Sequence, residues 1–215
     1  MASIPSATVG RLVTYLRVLA TLADRGIVRT SSDDLAREAR VSAFQVRKDL
    51  AYFGRFGTRG AGYDVDALST ELHRILGLER AWNVAIIGMG RLGSALADYP
   101  NMARYNFCLQ AAFDVAPEKV GTVVAGVPVY AMRELPERVR EHDVQVALLT
   151  VPGEGAQAAT EALAAAGVRG IVNFASTVLD PPEGVHVEAI DFLAGLKRVS
   201  YALHAETSDD ERAAS

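Results

Sequence analysis

The feature that most constrains this chain is the run Trp82-Asn83-Val84-Ala85-Ile86-Ile87, which leads without a break into Gly88-Met89-Gly90-Arg91-Leu92-Gly93. A buried strand, a G-x-G-x-x-G loop and then helix-forming residues from Arg91 to Asp98 are the opening of a dinucleotide-binding unit. Gly88 permits the tight turn, Gly90 lets a pyrophosphate approach the backbone, and Gly93 lets helix and strand pack closely. Met89, Arg91 and Leu92 complete the loop, and the pyrophosphate is expected on the N–H groups at the helix start. A second strand, Phe107 to Phe113, ends in Asp114, at the spacing expected of the acid that binds the adenosine ribose hydroxyls. No Lys or Arg follows until Lys119, so a 2′-phosphate has no obvious partner and NAD⁺ and NADH are favoured over the phosphorylated cofactor.

The chain beyond keeps the same alternation. Strands are expected at Val127 to Tyr130, Val144 to Val151, Ile171 to Phe174 and Val185 to Ile190, with helices at Arg133 to Glu141 and Glu154 to Ala166. That is an α/β doubly wound parallel sheet, with Thr150-Val151-Pro152-Gly153 at the carboxyl edge where ligands bind. A last helix, Asp191 to Leu203, carries the apolar stripe Phe192, Leu193, Leu196, Val199 and Leu203. The polar tail 205–215 is expected to be disordered.

Before the glycine loop the periodicity is helical. Val9, Leu12, Val13, Leu16, Leu19, Ala20 and Ala23 make one amphipathic helix, ended by Gly26. Ser31-Ser32-Asp33-Asp34 caps a short second helix and Ser42 caps a third, Ala43 to Phe53, with Phe44, Val46, Leu50 and Phe53 available for packing. Two short helices across a tight turn form a helix-turn-helix. Gln45 and Arg47 on the third helix are of the types that read base edges, while Lys48, Tyr52, Ser31 and Ser32 are of types that hold phosphates. The glycine-rich stretch Gly54 to Tyr63 reads as a wing, with Arg59, beside Gly60, the best candidate to enter a minor groove. A fourth helix, Val65 to Leu76, closes the unit. The divisions expected are a winged helix-turn-helix domain at 1–77, a Rossmann domain at 78–190, a C-terminal helix at 191–204 and the tail.

Charge supports this partition. Residues 1–77 carry 11 Lys/Arg against 8 Asp/Glu, whereas residues 78–215 carry 11 against 18. Between Arg40 and Gly60 five basic residues face only Asp49, a focus that suits a polyanion such as double-stranded DNA. A solvated surface or a protein-interaction module are the alternative uses of the same pattern. The single cysteine, Cys108, in an apolar run, argues against a metal site. No basic leader or 20-residue apolar run is present, so a cytoplasmic protein with no membrane partner is expected.

Together, Arg11 to Arg17, Phe44 to Leu50, Tyr52-Phe53-Gly54, Gly57 to Gly60, the glycine loop and Asp191 to Leu196 closely resemble the Rex family of redox-sensing transcriptional repressors, over roughly residues 4 to 204. The resemblance implies a homodimer whose C-terminal helix crosses to the partner, bringing Asp191 and Phe192 to the nicotinamide region of the other subunit's cofactor. It implies that NADH loosens a complex with an inverted-repeat operator and NAD⁺ permits it, with Arg17, Tyr99 and Asp191 as the switch. It implies no enzymatic activity. Two rivals stand beside it. A dehydrogenase would need a positioned acid or base, and His73, His142, His186 and His204 lie in contexts better suited to surface or packing roles. A regulator of another ligand, such as an acyl-CoA or NADP(H), or a nucleotide-bound assembly protein, would keep the Rossmann fold.

Overall fold

The computed structural model describes residues 4–57, 61–100 and 102–213. Arg59 and Gly60, expected at the wing tip, lie outside the described residues. The chain separates into two compact units, Met1–Arg80 and Ala81–Ser215.

The first unit contains α1 (Ser6–Asp24), β1 (Arg29–Thr30), α2 (Ser32–Ala39), α3 (Ala43–Ala51), β2 (Tyr63–Asp64) and α4 (Val65–Ile75). Each of the last three helices starts where a short polar side chain satisfies an orphan N–H. Ser31 Oγ accepts from the Asp34 amide at 3.0 Å, Ser42 Oγ from that of Gln45 at 3.1 Å, and Asp64 Oδ1 from that of Ala67 at 2.9 Å. Arg40, at φ 55° and ψ 45°, makes the left-handed turn between α2 and α3. Leu12, Tyr15 and Leu19 of α1, Leu35 of α2, Val46 and Leu50 of α3, and Leu68 and Leu72 of α4 form one buried core. The two-residue strands β1 and β2 pair antiparallel, Arg29 with Asp64 and Thr30 with Tyr63. The arms of the glycine-rich segment meet at Gly57 and Gly62, both with φ near +70°. A Cβ on Gly57 would lie 2.5 Å from the Gly62 carbonyl oxygen, and one on Gly62 would lie 2.4 Å from that of Thr30. Only glycine fits this crossing.

The second unit is a seven-stranded sheet. Its strands are β3 (Trp82–Ile87), β4 (Phe107–Asp114), β5 (Val123–Val124), β6 (Val127–Ala131), β7 (Val146–Leu149), β8 (Gly170–Asn173) and β9 (His186–Ala189), in the spatial order β5-β6-β4-β3-β7-β8-β9. All pairings are parallel except that of the edge strand β5. Chain order therefore reverses between β3 and β7, the switch point at which doubly wound sheets bind ligands. Helices α6 (Leu135–Glu141) and α7 (Gly153–Ala166) cover the face formed by Ala85, Ile87, Phe113 and Leu149. The opposite face, Ile86, Ala112 and Val129, packs against Leu96 and Ala97 of α5 (Arg91–Ala97).

Two expectations change. Phe44 does not pack in the core but is 69% exposed, because Val46 and Leu50 already fill the inward face of α3 and the helix stops at Ala51, short of Phe53. The last helix does not end at residue 204: α8 runs from Phe192 to Ala213. No glycine or proline interrupts the chain between Lys197 and Ala213, and a polar segment can propagate a helix already nucleated.

Candidate functional site

In the first unit, α3 is held by a buried carboxylate. Asp49, fully buried, accepts from Arg11 at 2.6 and 2.7 Å, from the Tyr15 hydroxyl at 2.8 Å and from the Gln45 side-chain amide at 2.8 Å. Burial pushes the Asp49 carboxyl upward, but the hydrogen bonds from Arg11, Tyr15 and Gln45 outweigh it and hold the group below the usual carboxylate range. Tyr15 is shifted upward, by burial first and then by the adjoining carboxylate. The hub clamps α3 onto α1 and draws Gln45, one of the two expected base readers, partly inward. Arg47 and Lys48 remain exposed, and Tyr52, just past the helix, is 44% exposed. Ser31 and Ser32 are half-buried and structurally engaged, Ser31 with Asp34 at 2.7 Å and Ser32 with the Tyr63 hydroxyl at 3.0 Å. The hub left no direct signal in the sequence, because its members lie up to 38 residues apart.

In the second unit, the loop after β3 has the form its glycines require. Gly88 has φ +96°, and a Cβ there would lie 2.9 Å from Val151 Cγ1. A Cβ on Gly93 would lie 2.0 Å from the Gly88 carbonyl oxygen. Gly90, at the N-cap of α5 with φ −74°, faces open space, which is where a pyrophosphate would approach. Thr150, after β7, donates its hydroxyl to the carbonyls of Gly88 at 2.6 Å and Ile87 at 3.0 Å, tying the two strand ends of the switch point together. Met89 is buried, whereas Arg91 and Leu92 at the start of α5 are exposed.

Asp114 ends β4 beside this loop. Its Oδ2 accepts from the Met89 amide at 2.7 Å, its Oδ1 from the Ala116 amide at 2.8 Å, and Lys119 Nζ lies 3.0 Å from Oδ2. Burial pushes this carboxyl upward, but the Ala116 amide, Lys119 and the Met89 amide hold it below its ordinary value. It is thus an anion ready to accept a ribose hydroxyl. The folding back of Lys119 was not legible in sequence, and it places a cation at the ribose position that Asp114 already neutralises. Beside Asp114 lies a cavity of about 440 Å³ walled by Val115, Pro117, Val120, Met132 and Arg133, a mainly apolar slot suited to a flat base.

At the carboxyl ends of β8 and β9 a second cavity, about 590 Å³, is lined by Asn173, Thr177, Leu179, Asp191, Leu193 and Lys197 among others. Asp191 Oδ1 accepts from the Ala194 amide at 3.1 Å and so caps α8. Phe192 is 71% exposed, and Tyr99 is exposed after α5. Among the described residues no hydrogen bond or ion pair joins Tyr99 to Asp191, and Arg17 is exposed on α1 of the other unit. The histidines do not gather at this edge. His142 precedes β7 and His186 opens β9, both at the amino ends of their strands, and His73 bonds the Ser69 carbonyl at 2.8 Å on α4. Among the described residues no group of His, Cys, Asp and Glu is disposed to hold a metal ion. No described helix is long and apolar enough to cross a membrane.

A helix-turn-helix with a cationic outer helix, joined to a dinucleotide-binding sheet with its loop and acid in place, defines a nucleotide-responsive DNA-binding regulator. The family model "Putative DNA-binding protein N-terminus" matches residues 3–51 and "CoA binding domain" matches residues 79–177. The chain is 54% identical over 200 residues to the redox-sensing transcriptional repressor Rex of Thermus thermophilus, covering 93% of this chain and 94% of that protein. It is 52% identical to the protein of the same name from Deinococcus radiodurans, covering 94% of each. A crystal structure of RSP with β-NAD⁺ and operator DNA superimposes with a TM-score of 0.91 at 33% identity, covering 98% of this chain and 97% of that one. The β-NADH complex of RSP gives 0.89 at 31% identity, covering 98% and 99%. The chain belongs to the Rex family of redox-sensing transcriptional repressors.

Proposed function

We propose that this protein is a cytoplasmic, homodimeric repressor that holds an inverted-repeat operator when NAD⁺ or no nucleotide is bound and releases it when NADH binds. The observation that carries this reading is the presence, in one chain, of an outward cationic face on α3 and a preformed Gly88–Gly93 loop beside an ionised Asp114. The relatives are named as repressors, and none of His73, His142 and His186 stands at the nucleotide edge in a position to serve hydride transfer.

Dimerisation is supported by α8. Phe192, Leu196, Val199 and Leu203 recur at helical spacing and are all more than half exposed, a stripe suited to burial against a second copy. In this reading α8 crosses to the partner subunit, and Asp191 and Phe192 approach the nicotinamide end of the partner's cofactor. NADH shifts the dimer only through a difference in its affinity for two arrangements. The oxidised ring carries a positive charge that the reduced ring lacks. Asp191 pairs with the oxidised ring or with Arg17, Tyr99 completes the relay, and the choice sets the angle between the DNA-binding units. A C2 dimer places its two α3 helices on half-sites whole helical turns apart.

The test is binding to an inverted repeat selected from random duplexes, titrated separately with NADH, NAD⁺ and NADPH at fixed salt. Release by NADH alone is expected. Equal retention under all three would leave a DNA-binding protein with a different ligand. Asp191→Ala should bind operator and lose the NADH response, and a wild-type response from that variant would overturn the switch.

A further inference from the structure

Phe44 is the most exposed aromatic side chain of the first unit, at 69%, and its place on α3 gives that exposure a purpose. Val46, Asp49 and Leu50 occupy the inward side of the helix and are covered. Phe44, Arg47 and Lys48 follow the i, i+3, i+4 spacing and share the opposite face, and all three are exposed. Gln45 lies at the margin, its amide donated to Asp49. Asp49, the one acid on α3, is buried beneath Arg11, so the outer face holds a ring framed by two cations and no carboxylate.

A face of this composition fits a polyanion that also offers an apolar group at the depth of a helix's first turn. In duplex DNA that group is the 5-methyl of thymine in the major groove, and the first turn of the second helix of a helix-turn-helix is the part that reaches base edges. We propose that Phe44 is a specificity-determining residue that reads thymine by packing its ring against this methyl group, while Arg47 meets a base edge and Lys48 a phosphate. The inference rests on the DNA-binding reading above and adds to it a base and a recognising group.

The experiment takes a duplex that the wild-type protein already binds, selected from random sequence, and replaces its thymines by uracil one at a time in both half-sites. This removes the methyl and leaves the pairing edge and the phosphates unchanged. At one thymine per half-site, loss of the methyl should weaken wild-type binding about fourfold for each half-site, the effect of one buried methyl group. Phe44→Ala, whose side chain lies outside the core and whose thermal unfolding should match wild type, should show no loss at that position. Phe44→Leu should retain part of it. Wild-type indifference to every replacement would overturn the proposal, as would an undiminished methyl dependence in Phe44→Ala. Failure of the wild type to select any duplex would instead overturn the DNA-binding reading beneath it, so the two failures are distinct.

Discussion

Asp49 is the residue whose removal should cost the first unit most. In Asp49→Ala the Tyr15 hydroxyl is left buried without an acceptor and Arg11 without its partner, a loss of about 2–4 kcal/mol in the unfolding of that unit by denaturant. The folded carboxyl titrates below the unfolded value of about 4. Its contribution is therefore complete above that value and is lost as the pH falls through the lower folded one. Acid unfolding of the first unit should lose this dependence in Asp49→Asn. The glycines give a sharper contrast. Gly93→Ala drives a Cβ into the Gly88 carbonyl and should lower both stability and NADH affinity, whereas Gly90→Ala meets open space at an ordinary φ. Gly90→Ala should unfold like wild type and yet bind NADH more than about tenfold more weakly, as measured by calorimetry, because the methyl stands where the pyrophosphate approaches. The roles of Gly88 and Gly93 were legible in sequence because a loop motif is local. The Asp49 hub and the exposure of Phe44 were not, since both depend on which surface α1 occupies.

At the scale of elements, helices with a clear cap and period were readable to within about three residues, as with α2 after Ser31. The two-residue strands β1 and β2 were not, because so short a pairing has no periodicity and exists only through the tertiary approach of residues 29–30 to 63–64. The doubly wound parallel sheet followed from alternation and the glycine loop, but the antiparallel edge strand β5 had no signal of its own. On α3, Lys48→Ala should weaken binding by a similar factor on all duplexes and reduce the salt slope of log K by about one. On α8, Leu196→Glu with Val199→Glu should convert a dimer to a monomer in sedimentation and abolish tight operator binding, because the apolar stripe could no longer be buried.

Across the whole molecule the acidic excess lies in the second unit and the basic excess in the first. Operator binding should therefore fall steeply with salt while nucleotide affinity changes little. The Met89 amide bonded to Asp114 has a further consequence. It ties Asp114 and the glycine loop into one fixture, which in the proposed reading would meet only the adenosine diphosphate half of the ligand, the half that is the same in both redox forms. A contact made alike by both redox forms cannot make them act differently on the protein, however tight it is. This half is the anchor, and the redox message is carried wholly by what the far ring touches. ADP-ribose should thus compete with NADH for the site while leaving the operator complex intact, so that a fragment of the signal becomes its antagonist.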